Sequence, residues 1–213
     1  MLQTERSVLI VVDVQNGFTS GGNLAVAQAE RIIPTINQLA DHFDNIVLTQ
    51  DWHPANHISF VEQHPQHKAY DVIQLDYGPQ VLWPSHCVQD TEDAEFHPDL
   101  NIPTAQLIIR KGFHSHIDSY SAFMEADHKT TTGLTGYLRE RQIDTVYIVG
   151  IATDFCVAWT AMDAARLGFK TFVISDATKA IDLHGSLQHA WQEMLAAGVK
   201  RMVSKDILDY PQS

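Results

Sequence analysis

The sequence predicts a single α/β domain, with helices on both faces of a mostly parallel six-stranded sheet in a three-layer α/β/α arrangement. Three observations lead there. Short apolar runs alternate along the chain with segments of helical period, the pattern of strand–helix–strand units. Most of those runs are continuously apolar and rich in Val and Ile, as strands covered on both faces must be. The 213 residues suffice for one sizeable core, and no repeat, low-complexity tract or linker divides them. One domain is expected over 1–213, with a loop region at about 52–106.

The first strand is Val8 to Val12, ending at Asp13, with a turn at Asn16-Gly17. Leu24 to Phe43 carries a helical pattern, and Pro34 either kinks that helix or marks its true start. Ile46 to Leu48 is the second strand, closing on Thr49-Gln50-Asp51. The stretch from Trp52 to Leu107 has weak periodicity and many His, Pro, Asp and Tyr residues; it reads as functional loops that can hide a small strand or helical turn. Leu107 to Ile109 is the third strand, running into Arg110-Lys111-Gly112, and Thr135 to Arg141 is a short helix. Ile143 to Val149 is the fourth strand, ended by Gly150. Its helix has Thr153 or Asp154 as the expected cap, apolar positions at Val157, Trp159, Ala161 and Ala164/Ala165, and a stop at Gly168. Thr171 to Ile174 and Val199 to Val203 are the last strands, around a helix from His184 to Ala197 with Leu187, Trp191, Met194 and Leu195 on one face.

Charge and cysteine usage narrow the function. With 26 acidic residues against 14 Lys plus Arg, the formal charge is −12, which disfavours a nucleic-acid partner and a strongly anionic substrate. No apolar run approaches the length of a membrane span, and the N-terminus carries no signal-peptide pattern. Two cysteines, Cys87 and Cys156, make no disulfide framework, so a reducing, cytoplasmic setting is expected. A homo-oligomer is compatible with the sequence.

In a parallel sheet the site lies beyond the carboxyl ends of the strands. The ends here are Asp13, Asp51 with His53, Lys111, and Cys156, each reactive and each closing an apolar run. Asp51-x-His53 puts two donors on one side of an extended segment, suited to zinc, iron or manganese. A third ligand must come from a loop, and His86 in WPSHC is the best candidate, with Cys87 beside it read as a buried structural thiol. Asp13, Lys111 and Cys156 form a second set. A thiol at a strand–helix junction beside an ammonium is expected to have a lowered pKa, and an aspartate there can carry its proton and return it to a leaving group.

These residues carry a resemblance. VVDVQNGF (11–18), DWHPANHISF (51–60), WPSHC (83–87), RKG (110–112) and GIATDFCV (150–157) resemble the pyrazinamidase/nicotinamidase group of the isochorismatase-like cysteine hydrolase family, in the group's order and over nearly the whole chain. The resemblance implies an isochorismatase-like fold and hydrolysis of nicotinamide to nicotinate and ammonia through a Cys thioester, with pyrazinamide also accepted. It implies a triad of Asp13, Lys111 and Cys156, and one divalent metal, zinc first, on Asp51, His53 and His86. It implies a cis Ile151–Ala152 peptide, with N–H groups of Ala152 and Cys156 facing an oxyanion, and Phe18 and Trp83 as walls for the ring. His57, four residues after His53, is either a further ligand or a pocket residue. Three rivals stand beside this reading: another amide hydrolase or isochorismatase-type enzyme of the same fold, a metallohydrolase in which Cys156 is only packed, and a non-enzymatic metal-stabilised scaffold.

Overall fold

The computed structural model describes residues 4–209, so residues 1–3 and 210–213 of the expected domain lie outside the described residues. Six strands form one sheet in the order β5-β2-β1-β6-β7-β8, and every pair in it is parallel. Along the chain these are β1 (Ser7–Val12), α1 (Ile33–Ala40), β2 (Ile46–Asp51), β3 (Val72–Leu75), β4 (Gly78–Val81), β5 (Leu107–Lys111), α2 (Leu134–Glu140), β6 (Thr145–Ile151), α3 (Ala158–Arg166), β7 (Lys170–Lys179), α4 (Ser186–Ala196), β8 (Lys200–Met202) and α5 (Lys205–Leu208). No helix among the described residues is long and apolar enough to cross a membrane.

Period-two alternation splits β1 between two cores. Leu9 and Val11 pack with Ile33, Ile36 and Leu39 of α1 and Ile207 of α5, whereas Val8, Ile10 and Val12 pack with Leu134, Leu138, Ala161 and Met194 of α2, α3 and α4. Burying strands on both sides explains their continuous apolar runs. Gly150 lets β6 close on β1: its φ is 114°, and a Cβ there would collide with the Val12 backbone.

Several expectations are corrected. Pro34 marks a start: residues 29–32 form a tight 3-10 turn and α1 begins at Ile33, so Leu24 to Gln28 is not helical. The helix before β8 begins at Ser186, after left-handed residues Asp182, His184 and Gly185. Leu195 is 56% exposed and leaves the apolar face, because it is turned about 100° from Met194, which is buried in line with Ala190. Neither Thr153 nor Asp154 caps α3. A wide turn over 153–157 intervenes, in which the Val157 N–H donates to the Ala152 carbonyl at 3.0 Å. Asp154 instead accepts from Ile181 N (3.1 Å), Asp182 N (2.8 Å) and Ser186 Oγ (2.5 Å). The stretch 52–106 holds an antiparallel ribbon, β3 with β4, and short turns at Val61–Gln63 and Glu92–Ala94.

Candidate active site

Parallel pairing carries the strand ends to one edge. Asp51 and Lys111 are register partners on β2 and β5, and Val12 pairs with Gly150, which sets Asp13 beside the turn holding Cys156. Lys111 is fully buried and is the centre of the cluster. Its ammonium lies 2.8 Å from Asp13 Oδ2, in ion-pair contact with Asp51 Oδ1, and 3.4 Å from Cys156 Sγ, and donates to the Ser119 carbonyl at 3.1 Å. Asp13 Oδ1 accepts the Thr49 hydroxyl at 2.5 Å. Asp13 Oδ2 has the ammonium's charge beside it but accepts no directed hydrogen bond among the described residues, leaving a lone pair for a proton.

The electrostatics follow from burial and this one cation. Burial raises the Asp13 carboxyl to about 6, Lys111 opposing and the Asp51 anion adding. Burial acts the same way on Asp51, but Lys111 and His53 outweigh it and hold Asp51 below the ordinary carboxylate range. Burial alone would lower Lys111; Asp13, Asp51 and Cys156 together keep it firmly protonated. The expectation of a lowered Cys156 thiol is overturned. Burial pushes it well above its ordinary value, with Lys111 opposing and both carboxylates adding. Burial thus opposes the thiolate that Lys111 favours, and Asp13 is the neighbouring group able to take the thiol proton.

Asp51, His53 and His86 are buried and can bring their donor atoms within 4.8 Å of one another. Asp51 Oδ2 is 3.6 Å from His53 Nε2 and 3.8 Å from His86 Nε2. The two imidazoles are oriented from behind, with Nδ1 of His53 on the Gly112 carbonyl at 2.8 Å and Nδ1 of His86 on the Pro84 carbonyl at 2.8 Å. A carbonyl accepts only, so each Nδ1 carries the hydrogen and each Nε2 turns a lone pair inward. Burial and His53 push His86 down to about 4, which keeps it neutral. Burial also acts to lower His53, but Asp51 outweighs it and raises the imidazole, so a proton and a cation compete for that nitrogen. One carboxylate and two imidazoles suit a borderline divalent ion, and the residues fit it. Gly112 has φ 67°, and a Cβ on it would strike the His53 ring.

His57 lies beside His53, with ring centroids 4.3 Å apart. Its Nδ1 is 2.7 Å from Ser59 Oγ and its Nε2 3.1 Å from the Ile117 carbonyl, and it does not line the pocket, although its donor atoms can approach those of His53 and Asp118. The Ile151–Ala152 peptide is cis. A pocket opens on the cluster, and Phe18, Trp83, Ala152 and Cys156 line it together with Asp51, His53 and His86. Leu24, Asp118, Tyr120, Phe155 and Ile181 also line it and escaped the sequence reading. Phe155, next to the nucleophile candidate, had a positional signal; Asp118 and Tyr120, in a polar loop without period, had none. Thr49 on Asp13 and Gln15, which bonds Asp51 N at 2.8 Å and the Asp51 carbonyl at 2.9 Å, were likewise silent in sequence.

Known proteins resemble the chain in sequence and fold. The chain is 71% identical over 208 residues to a nicotinamidase of Acinetobacter baylyi, covering 98% of this chain and 97% of that one. Its fold superposes on an Acinetobacter baumannii nicotinamidase/pyrazinamidase with a TM-score of 0.95 at 73% identity, over 96% of this chain and 99% of that one. A pyrazinamidase of Pyrococcus horikoshii in complex with zinc gives a TM-score of 0.77 at 37% identity, over 93% of this chain and 99% of that one. The family profile described as "Isochorismatase domain" matches residues 7–206, and the chain belongs to that family.

Proposed function

We propose that the chain is a nicotinamidase, an amidohydrolase converting nicotinamide and water to nicotinate and ammonia, with pyrazinamide as a second substrate. One observation carries the chemistry: a single buried ammonium touching a proton-accepting carboxylate, a metal-facing carboxylate and a thiol at the wall of an aromatic pocket. The relatives' names supply the substrate. The whole chain acts as one catalytic domain, to which 52–106 contributes loops.

Asp13 takes the Cys156 proton on its free Oδ2 lone pair as sulfur attacks the carboxamide carbon. Lys111 steadies the anion that results. The oxyanion faces the N–H groups of Ala152 and Cys156. The C–N bond breaks, and Asp13 returns its proton to the departing ammonia. A water then attacks the thioester, giving a proton to Asp13; the C–S bond breaks, and Cys156 is reprotonated. Phe18 and Trp83 hold the flat ring by apolar burial. Asp51, His53 and His86 would hold a divalent ion, which we take to be zinc, and it would supply an anchor for the ring nitrogen. His57, grouped with His53 and Asp118, is a candidate for a further ligand beside the pocket. Two free thiols, Cys87 and Cys156, accord with a reducing, cytoplasmic setting.

The test is kcat/KM for nicotinamide, pyrazinamide, benzamide, picolinamide and isonicotinamide on one metal-replete preparation, repeated after chelation. Nicotinamide and pyrazinamide keep a nitrogen meta to the carboxamide-bearing carbon; the other three do not, and lose about a hundredfold if alignment depends on it. Equal values for benzamide and nicotinamide would remove the anchoring role and leave the metal structural. Turnover that survives iodoacetamide would favour metal-water attack over the thiol.

A further inference from the structure

The β3–β4 ribbon is a sheet separate from the six-stranded one. It pairs only with itself, and a two-stranded hairpin is marginal in water. It exposes Val72 at 63%, and of its eight strand residues only Gln80, at 1% exposed, is buried. Burying a glutamine in place of the available aliphatics costs free energy unless its amide is fully bonded.

It is bonded, and two of its partners, Asp118 and Tyr120, line the pocket. Gln80 Nε2 donates to Asp118 Oδ2 at 2.7 Å and the Val81 carbonyl at 2.7 Å, and lies 3.1 Å from Tyr120 Oη. Its Oε1 accepts from Tyr77 Oη at 2.9 Å. The orientation of the amide is forced, because a flipped carbonyl would face a carboxylate and another carbonyl. Tyr120 Oη also accepts from Trp83 Nε1 at 2.9 Å. Asp118, Tyr120 and Trp83 all line the pocket, and Gln80 does not.

We propose that Gln80 is a specificity-determining positioning residue, which fixes Asp118 and Tyr120, and through Tyr120 the Trp83 wall, so that the pocket fits one flat ring. The proposal rests on the nicotinamidase reading. Gln80 touches neither the triad nor the metal donors, so its loss acts on fit and leaves bond-making alone. The ribbon is then the arm that delivers it, and Tyr77 in the ribbon's turn holds its carbonyl.

The experiment uses the full-length protein and compares the parent with Gln80→Met, which keeps the length and removes the bonds, and Tyr77→Phe, which removes two bonds on a half-buried residue, one to Gln80 Oε1 and one from the Asp118 N–H. For Gln80→Met, KM for nicotinamide rises about tenfold while kcat stays within about threefold, as expected for loosened ring placement. Discrimination between nicotinamide and 5-methylnicotinamide shrinks, since an added methyl is excluded only by a fixed wall. The Trp83 indole N–H resonance, assigned with Trp83→Phe, shifts because its acceptor moves. Tyr77→Phe moves the same quantities in the same direction by about two- to threefold, and decides the matter if Gln80→Met does not fold. Unchanged KM, selectivity and resonance, or kcat and Tm falling together at constant KM, would overturn the proposal and make Gln80 a fastening for the ribbon. A parent that releases no ammonia from nicotinamide refutes the activity itself; an active parent with indifferent variants refutes only the role of Gln80.

Discussion

Asp13 and Asp51 are two carboxylates on one ammonium, both buried, and they are driven in opposite directions: Asp13 up to about 6, Asp51 below the usual range. Burial is common to both and so cannot be the cause of the difference. The remaining partners decide it. Asp13 has a neutral hydroxyl, from Thr49, and an oxygen with no directed donor; Asp51 has two imidazoles on its second oxygen. One cation thus serves a group that must gain and lose a proton and a group that must remain an anion. A site can divide acid–base work from ligand work without separating the residues in space.

The largest test of that division is chemical. Cys156→Ala should lower kcat by about 10⁴-fold or more, and Asp13→Asn by about 10³-fold, since an amide cannot shuttle the proton. Both should keep their metal, measured by atomic absorption. A variant of either kind within tenfold of the parent would remove that residue from the chemistry. Next comes the ligand side. His53→Ala or His86→Ala should lose the ion and about a hundredfold in kcat/KM, while iodoacetamide alkylation of Cys156 changes by less than about threefold because the triad is untouched. Stoichiometric metal in both variants would break the donor set.

The smallest effect is the pH dependence. Asp13 is raised, so it is a carboxylate above about pH 6 and a carboxylic acid below it, and only the carboxylate can take the thiol proton. kcat/KM should hold level down to about pH 6 and then fall tenfold per unit, with metal content followed at each pH so that loss of the ion is not counted. A flat profile between pH 5 and 7 would show that a different base is at work.

The fold and the reactive strand ends were legible because periodicity and strand termini are local. Asp13, Asp51, Lys111 and Cys156 each close an apolar run, and parallel pairing takes all such ends to one edge. The ionisation of Cys156 was not legible. Its sign depends on how much burial outweighs one ammonium, which neighbouring letters do not record. Asp154 misled for a related reason: its chemistry is that of a cap, but its acceptors were taken by residues 181, 182 and 186, far along the chain. Gln80 and Asp118 lie 38 residues apart in segments without period, and nothing short of the folded chain pairs them.

The strand order also governs when this molecule becomes reactive during its synthesis. β1, β2 and β5 are adjacent and are complete once residue 111 has left the ribosome, carrying Asp13, Asp51 and Lys111 with them. The other edge of β1 stays bare until β6 emerges and inserts beside it, and the turn bearing Cys156 follows only then. Half-made chains therefore hold the base and the cation but no nucleophile, and their open β1 edge is the surface most exposed to mispairing with a neighbour. β7 and β8, the core residues Met194 and Ile207, and Ile181 of the pocket all follow Cys156 in the chain, so the triad is complete in sequence before the sheet, the cores and the pocket are.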